Sequence, residues 1–194
     1  YIYGIGFVGY PLLLTLANLK NNNYEVIGVE KNNQIAKKIQ KKIQSGNCLI
    51  KTSDKKLSKL AETFKSKKIK ILADNKNLSL KGIVLITINF DSFKNIEKLK
   101  QTFNRICNNL CNGTTIIIES TLIPGTTEKI LLPILKKSII KNKLDKNKIF
   151  FGFSYERVMP GEKYIESITN NFRNISGINF KSINKIKLFY KTFI

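Results

Sequence analysis

Apolar residues follow two alternating patterns along this chain. Short runs rich in Ile, Val and Leu predict strands at residues 25–30, 69–73, 82–88, 114–121 and 148–153. The run at 82–88 is uninterrupted, which suits a central parallel strand covered on both faces. Between the runs, apolar residues recur every three or four positions and predict helices. The stretch after Gly9 carries Leu12, Leu13, Leu14, Leu16, Ala17 and Leu19, so that helix is mostly buried. Residues 32–45 place Ile35, Ala36, Ile39 and Ile43 on one face and stop at Gly46. Asp54 caps a helix through Leu57, Leu60, Ala61 and Phe64, and residues 96–111 form another, ended by Asn112-Gly113. Pro124-Gly125 turns the chain into a helix begun by Thr126 and Thr127 and carrying Ile130, Leu131, Leu132, Ile134 and Leu135. Residues 174–177 read as a short strand end, and 182–193 begin a last helix.

Strands and helices that alternate without an internal repeat predict an α/β fold. The expected form is a Rossmann-type, doubly wound, mainly parallel sheet with helices on both faces. Ligands of such sheets bind beyond the carboxyl ends of the strands. The turn residues 74–77 and the loop Asn89-Phe90-Asp91 both follow strands and belong to that edge.

The first eleven residues, Tyr1-Ile2-Tyr3-Gly4-Ile5-Gly6-Phe7-Val8-Gly9-Tyr10-Pro11, run from a strand end through Gly-x-Gly-x-x-Gly into a helix. Gly4 permits a tight turn, Gly6 lets a pyrophosphate approach the backbone, and Gly9 lets the helix pack closely. Amides at the helix start then face the phosphates. Glu30 ends the second predicted strand, where such folds place an acid for the adenosine ribose, about 20 residues past the loop. Strand, loop, helix, strand and acid in this order predict a dinucleotide site formed by Gly4, Gly6, Phe7, Val8, Gly9, Glu30 and Lys31. Glu30 repels a 2'-phosphate and favours NAD, while the adjacent Lys31 keeps NADP open.

Composition limits other classes. The chain has 194 residues, enough for one good core, and 34 basic against 13 acidic side chains give a formal charge of +21. Lysines such as Lys37, Lys38, Lys41, Lys42, Lys55, Lys56, Lys65, Lys67 and Lys68 are spread over polar helix faces rather than gathered in a basic arm. We therefore expect no nucleic-acid partner and no membrane partner, and a cytoplasmic protein. No apolar run approaches the ~18 residues of a membrane span. Cys48, Cys107 and Cys111 are odd in number and do not form a disulfide framework. Cys107 and Cys111 share a helix face by spacing, but without further ligands they read as buried thiols. The chain has no histidine, so acid-base work falls to Glu, Asp, Lys or a group outside it.

Five segments together resemble the amino-terminal domain of the nucleotide-sugar 6-dehydrogenases, the UDP-glucose and GDP-mannose dehydrogenase family. They are Gly4 to Pro11, then Gly28-Val29-Glu30, then Glu119-Ser120-Thr121-Leu122-Ile123-Pro124-Gly125-Thr126-Thr127, and finally Ser154-Tyr155-Glu156-Arg157-Val158-Met159-Pro160-Gly161 with the later Ile175-Ser176-Gly177. The form Glu-Arg-x-x-Pro-Gly at Glu156 is similar to the branch acting on UDP-N-acetylhexosamines for bacterial surface polysaccharides.

The resemblance implies oxidation of a UDP-sugar C6 alcohol to a uronic acid with two NAD+ reduced, by way of a thiohemiacetal and a thioester on a cysteine. It implies that Glu156 assists thioester hydrolysis as a general base and that Thr121 orients a water or substrate oxygen beside the cofactor. It also implies a homodimer. Three departures stand out. Tyr155 replaces a usual proline, and Asn89-Phe90-Asp91 replaces Pro-Thr-Pro, so Phe90 occupies a threonine position near the nicotinamide. The family's nucleophilic cysteine lies in a motif that Cys48, Cys107 and Cys111 do not match. Residues 1–194 are thus expected to be the NAD-binding domain, without the start of its first strand and without the dimer-forming middle and the nucleotide-sugar half. Such a chain binds NAD+ without turning over. Two other readings stay open: a dehydrogenase of the 6-phosphogluconate or hydroxyacid type, and a basic nucleic-acid module whose affinity falls steeply with salt.

Overall fold

The computed structural model describes residues 1–19, 24–64, 69–75, 77–90 and 95–194. Seven strands form one sheet: β1 (Ile2–Tyr3), β2 (Ile27–Glu30), β3 (Lys70–Ala73), β4 (Ile83–Ile86), β5 (Thr115–Ile118), β6 (Phe150–Phe153) and β7 (Ser176–Gly177). Their order is β3-β2-β1-β4-β5-β6-β7. The first six run parallel, and β7 adds antiparallel to β6. This is the expected doubly wound sheet, with strand order reversing between β1 and β4. A crevice opens at that reversal.

The helices are α1 (Gly9–Ala17), α2 (Asn33–Gln44), α3 (Lys55–Thr63), α4 (Ile96–Asn108), α5 (Leu132–Lys141), α6 (Tyr164–Thr169) and α7 (Phe180–Tyr190). They explain why the strand runs are apolar throughout. In β5, Ile117 joins a cluster with Leu12, Leu13, Leu57 and Ile186 on one face. Its neighbours Ile116 and Ile118 join Phe103, Ile106, Leu135 and Phe151 on the other. Alternate residues of a strand point to opposite faces, and here both faces are covered.

Asp54 caps α3 as expected, its Oδ1 accepting the amides of Lys56 and Leu57 at 2.7 and 3.2 Å. Its Oδ2 also accepts the Ile165 amide at 2.8 Å, which fastens α6 to α3. The helix read from Thr126 and Thr127 opens as a π-helical turn, Thr127–Leu131, before α5 begins. The Leu132 amide reaches back to Thr127 O, and Pro133 then has no amide to continue the ladder. α6 lacks a long apolar repeat and was not anticipated.

Two cysteine expectations diverge. Cys107 is buried, and burial pushes its thiol well above the ordinary range. Cys111 lies beyond the end of α4, with its sulfur 3.1 Å from Ser79 Oγ, so the two do not share a helix face. The chain leaves the helix at Asn109, where Asn109 Nδ2 donates to Asn75 O at 2.7 Å. No cluster of metal-ligating side chains occurs among the described residues. Among the same residues, no helix is long and apolar enough to cross a membrane. Lys65, Lys67, Lys68, Lys76 and Asp91 lie outside the described residues.

Candidate functional site

At the carboxyl edge of the sheet a cavity of about 590 Å³ runs along the β1/β4 crevice. Such a volume is ordinary for a small-molecule site. Gly4, Gly6, Phe7, Val8, Glu30, Lys31, Thr121 and Glu156 all line it, so the structure brings the expected residues to one place. Gly9 stands behind the cavity wall.

The glycines divide their work through geometry. Gly4 has φ +94°, and a Cβ there would lie 2.9 Å from the Ile88 side chain. A Cβ on Gly9 would sit 2.0 Å from Gly4 O and 2.6 Å from Thr87 Oγ1, so the helix start presses on its own loop. At Gly6 nothing lies within 4 Å of a built Cβ. The open side of the loop therefore faces the cavity. The amides of Gly6, Phe7 and Val8 enter none of the hydrogen bonds between described residues and lie at the amino end of α1, where negative charge is favoured. Thr87 Oγ1 donates to Tyr3 O and Gly4 O at 3.0 and 2.8 Å, which pins the loop to the end of β4.

Glu30 turns toward this loop. Its Oε1 accepts the Ile5 amide at 2.7 Å, and its Oε2 lies 3.4 Å from the Lys31 amide. The carboxylate is thereby fixed beside the loop with acceptor capacity to spare, since a carboxylate takes about four hydrogen bonds.

The opposite end is assembled from distant segments. Thr121 is exposed just past β5, after Glu119 and Ser120, whose amides both donate to Ile86 O at 2.9 and 3.0 Å. Glu156 follows β6, with its amide 3.2 Å from Glu119 O and its Oε2 accepting the Val158 amide. Glu119 itself is fully buried, and its Oε1 accepts from Tyr190 OH at 2.7 Å. Its Oε2 meets Arg173 Nη1 at 3.4 Å. Burial raises the Glu119 pKa, against the opposing pull of the Arg173 charge and the Tyr190 hydrogen bond. Arg173 also lies over the Tyr190 ring, 5.1 Å from its centroid. This buried group was not singled out from sequence; Glu119 could have been flagged as a carboxylate ending an apolar strand, whereas Arg173 and Tyr190 gave no signal.

Tyr164 links the two ends. Its hydroxyl donates to Phe7 O at 2.5 Å, although the residues stand 157 positions apart. Burial first, then the Glu156 charge, pushes the Tyr164 phenol up to about 12. Phe90 does not line the cavity: it is 3 % exposed and packs in the core with Phe103 and Leu99. Thr87, Ile88 and Asn89 form the wall there instead.

The family profile of the UDP-glucose/GDP-mannose dehydrogenases, NAD binding domain, matches residues 1–194. The chain belongs to that family. UDP-N-acetyl-D-mannosamine dehydrogenase of Methanocaldococcus jannaschii is 31% identical over 198 residues, covering 100% of this chain and 42% of that protein. UDP-N-acetyl-D-glucosamine 6-dehydrogenase of Pseudomonas aeruginosa is 29% identical, covering 84% of this chain and 36% of its own length. Among solved structures, the UDP-N-acetyl-mannosamine dehydrogenase Cap5O of Staphylococcus aureus matches with a TM-score of 0.80 and 25% identity, over 100% of this chain and 45% of that one. The chain spans less than half the length of these relatives.

NAD is the cofactor of this UDP-glucose/GDP-mannose dehydrogenase domain, and the residues fit it. Open space above Gly6, amides at the start of α1 and an anchored Glu30 beside them supply what a pyrophosphate and a ribose require.

Proposed function

We propose that this chain supplies the dinucleotide-binding part of an NAD-dependent nucleotide-sugar 6-dehydrogenase that oxidises the C6 alcohol of a UDP-N-acetylhexosamine to the uronic acid. The observation that carries the reading is the single cavity that joins the glycine loop and Glu30 to Thr121 and Glu156. NAD+, held by the glycine loop and Glu30, would supply the acceptor for each of the two hydrides that the oxidation releases. The chain's own residues then have separable tasks. Gly6, Phe7 and Val8 receive the pyrophosphate, Glu30 holds the ribose hydroxyls, and Lys31 flanks them. Thr121, exposed at the far end, positions a water or substrate oxygen. Half-buried Glu156 takes a proton from the water that hydrolyses the acyl intermediate. The names of the relatives and the Glu156-Arg157 segment support the acetylated sugar. We assign the enzyme to surface-polysaccharide synthesis in the cytoplasm, acting as a homodimer without nucleic-acid or membrane partners.

Calorimetric titration of the chain with NAD+ and NADP+ tests the cofactor part. NAD+ binds, NADP+ binds more weakly, and Glu30→Ala weakens NAD+ about 10-fold, the loss expected for charge-assisted hydrogen bonds. Equal affinity of the variant and the parent would refute the ribose role. In the full-length enzyme, NADH release with UDP-N-acetylmannosamine and UDP-N-acetylglucosamine tests the substrate, while the chain alone produces none. Turnover with UDP-glucose in preference to both would overturn the assignment.

A further inference from the structure

The cavity continues past Glu30, away from Thr121, to a wall built by α4. Lys98, Thr102 and Arg105 recur there at i, i+4 and i+7, one stripe along the helix, and all three line the cavity with Asp74 and Lys31. Within that stripe Arg105 is held in a single orientation. Its Nε donates to Asp74 Oδ2 at 2.8 Å, and its Nη2 donates to Thr102 Oγ1 at 3.3 Å. The Asp74 side chain is 3 % exposed, whereas that of Arg105 is 41 % exposed. A buried carboxylate thus anchors one edge of a guanidinium plane whose remaining surface is open. Asp74 is itself fixed by its amide, which donates to Glu30 O at 2.6 Å. The plane is therefore tied to the residue that receives the ribose.

We propose that Arg105 is the stacking platform for the adenine ring, a specificity-determining residue oriented by Asp74 and Thr102. The inference rests on the dinucleotide reading of the cavity. With the pyrophosphate at Gly6 and the nicotinamide toward Thr121, the base lies beyond Glu30, and α4 forms the wall on that side. A planar, weakly hydrated guanidinium stacks on aromatic faces, and a lysine ammonium does not reproduce that surface. The aliphatic stems of Lys98 and Lys31 border the same space without a flat face.

The test compares NAD+ with ADP-ribose, which keeps the adenosine end and lacks nicotinamide, on the parent chain and on Arg105→Lys by calorimetry. Arg105→Lys keeps a cation beside Asp74 and so avoids leaving that carboxylate buried alone. Both ligands weaken by the same factor, about 3- to 10-fold, the range of a cation–π contact. Thr102→Val, which releases only Nη2, weakens both about 2-fold, the smaller loss expected from one neutral partner. Parent-like affinity of Arg105→Lys for both ligands overturns the platform and leaves Arg105 a point charge. Weakening of NAD+ without ADP-ribose overturns it as well, since the effect then lies away from the base. A parent chain that binds neither ligand overturns the dinucleotide reading together with this inference, whereas a parent that binds both and a variant that equals it removes the inference alone.

Discussion

The two ends of the cavity are built in opposite ways. The loop end is local: β1, the glycines, the start of α1 and the tip of β2 fall within the first thirty residues, and Glu30 closes on Ile5 across 25 positions. The far end is distributed: Thr121 follows β5, Glu156 follows β6, and Arg173 and Tyr190 reach Glu119 from 54 and 71 positions away. The loop end rests on backbone geometry and is sensitive to single atoms of bulk. The far end rests on a buried ion pair and is sensitive to the loss of either partner. This difference sorts the expected effects of substitution.

The largest effect belongs to the buried pair. Arg173→Met leaves the Glu119 carboxylate at 0 % exposure with the Tyr190 hydroxyl as its remaining side-chain partner among the described residues. Breaking such a pair costs about 3–5 kcal/mol of stability. The sign with pH follows from Glu119, whose folded pKa is raised above its ordinary 4.5 by burial. A raised carboxylate favours the fold in its protonated form, so that contribution is complete below the unfolded pKa and fades as pH climbs through the folded value. Without Arg173 the folded pKa rises further. The gap in Tm between parent and variant therefore widens as pH climbs through the parent's raised folded pKa, where the parent's Glu119 ionises beside Arg173 and the variant's does not, and narrows in acid. A pH-independent gap in thermal melts would show that Arg173 contributes packing rather than charge. NAD+ affinity of the folded variant stays near the parent's if the two ends are independent.

Gly9→Ala probes the other end. Its Cβ would stand 2.0 Å from Gly4 O, which is backbone and cannot swing aside. Overpacking of this kind costs about 3 kcal/mol, and if the whole strain falls on the loop it appears as a roughly 100-fold loss of NAD+ affinity. The Tm moves less than for Arg173→Met, because the loop lies at the edge of the sheet. Unchanged NAD+ binding would mean that the loop opens freely and that its shape does not set affinity.

These contrasts also mark what the sequence could reveal. The doubly wound sheet, the helix faces, the tight turn at Gly4 and the close packing at Gly9 were legible because spacing along the chain maps directly onto one βαβ unit. The cap by Asp54 was legible for the same reason, but its second bond to Ile165 was not, because that partner arrives from α6. Phe90 holds the motif's threonine position but makes no threonine-like contact, because an aromatic side chain at that point gains more by entering the core next to Phe103. Cys111 left the helix that spacing had extended to it, since Asn109 Nδ2 donates to Asn75 O, Asn109 O accepts the Leu80 amide and the Cys111 amide donates to Leu80 O. The Glu119, Arg173 and Tyr190 group needed three segments in hand at once.

The smallest expected effect concerns Tyr164, a side chain that lies between the ends. Tyr164 is fully buried at the start of α6, and its hydroxyl donates to Phe7 O at 2.5 Å while the Glu156 charge is near enough to raise its pKa. Tyr164→Phe keeps the ring and removes that donor. Phe7 is 63 % exposed, so water replaces the lost donor and the cost is about 1 kcal/mol, or roughly 5-fold in NAD+ affinity. The sharper readout is hydrogen exchange. In the parent, NAD+ binding at the loop slows exchange of amides in residues 155–163, because loop and segment are fastened together. In Tyr164→Phe that protection falls while protection of the loop itself remains. Equal protection in both proteins would mean that the two ends respond to the dinucleotide separately, with no mechanical link between them.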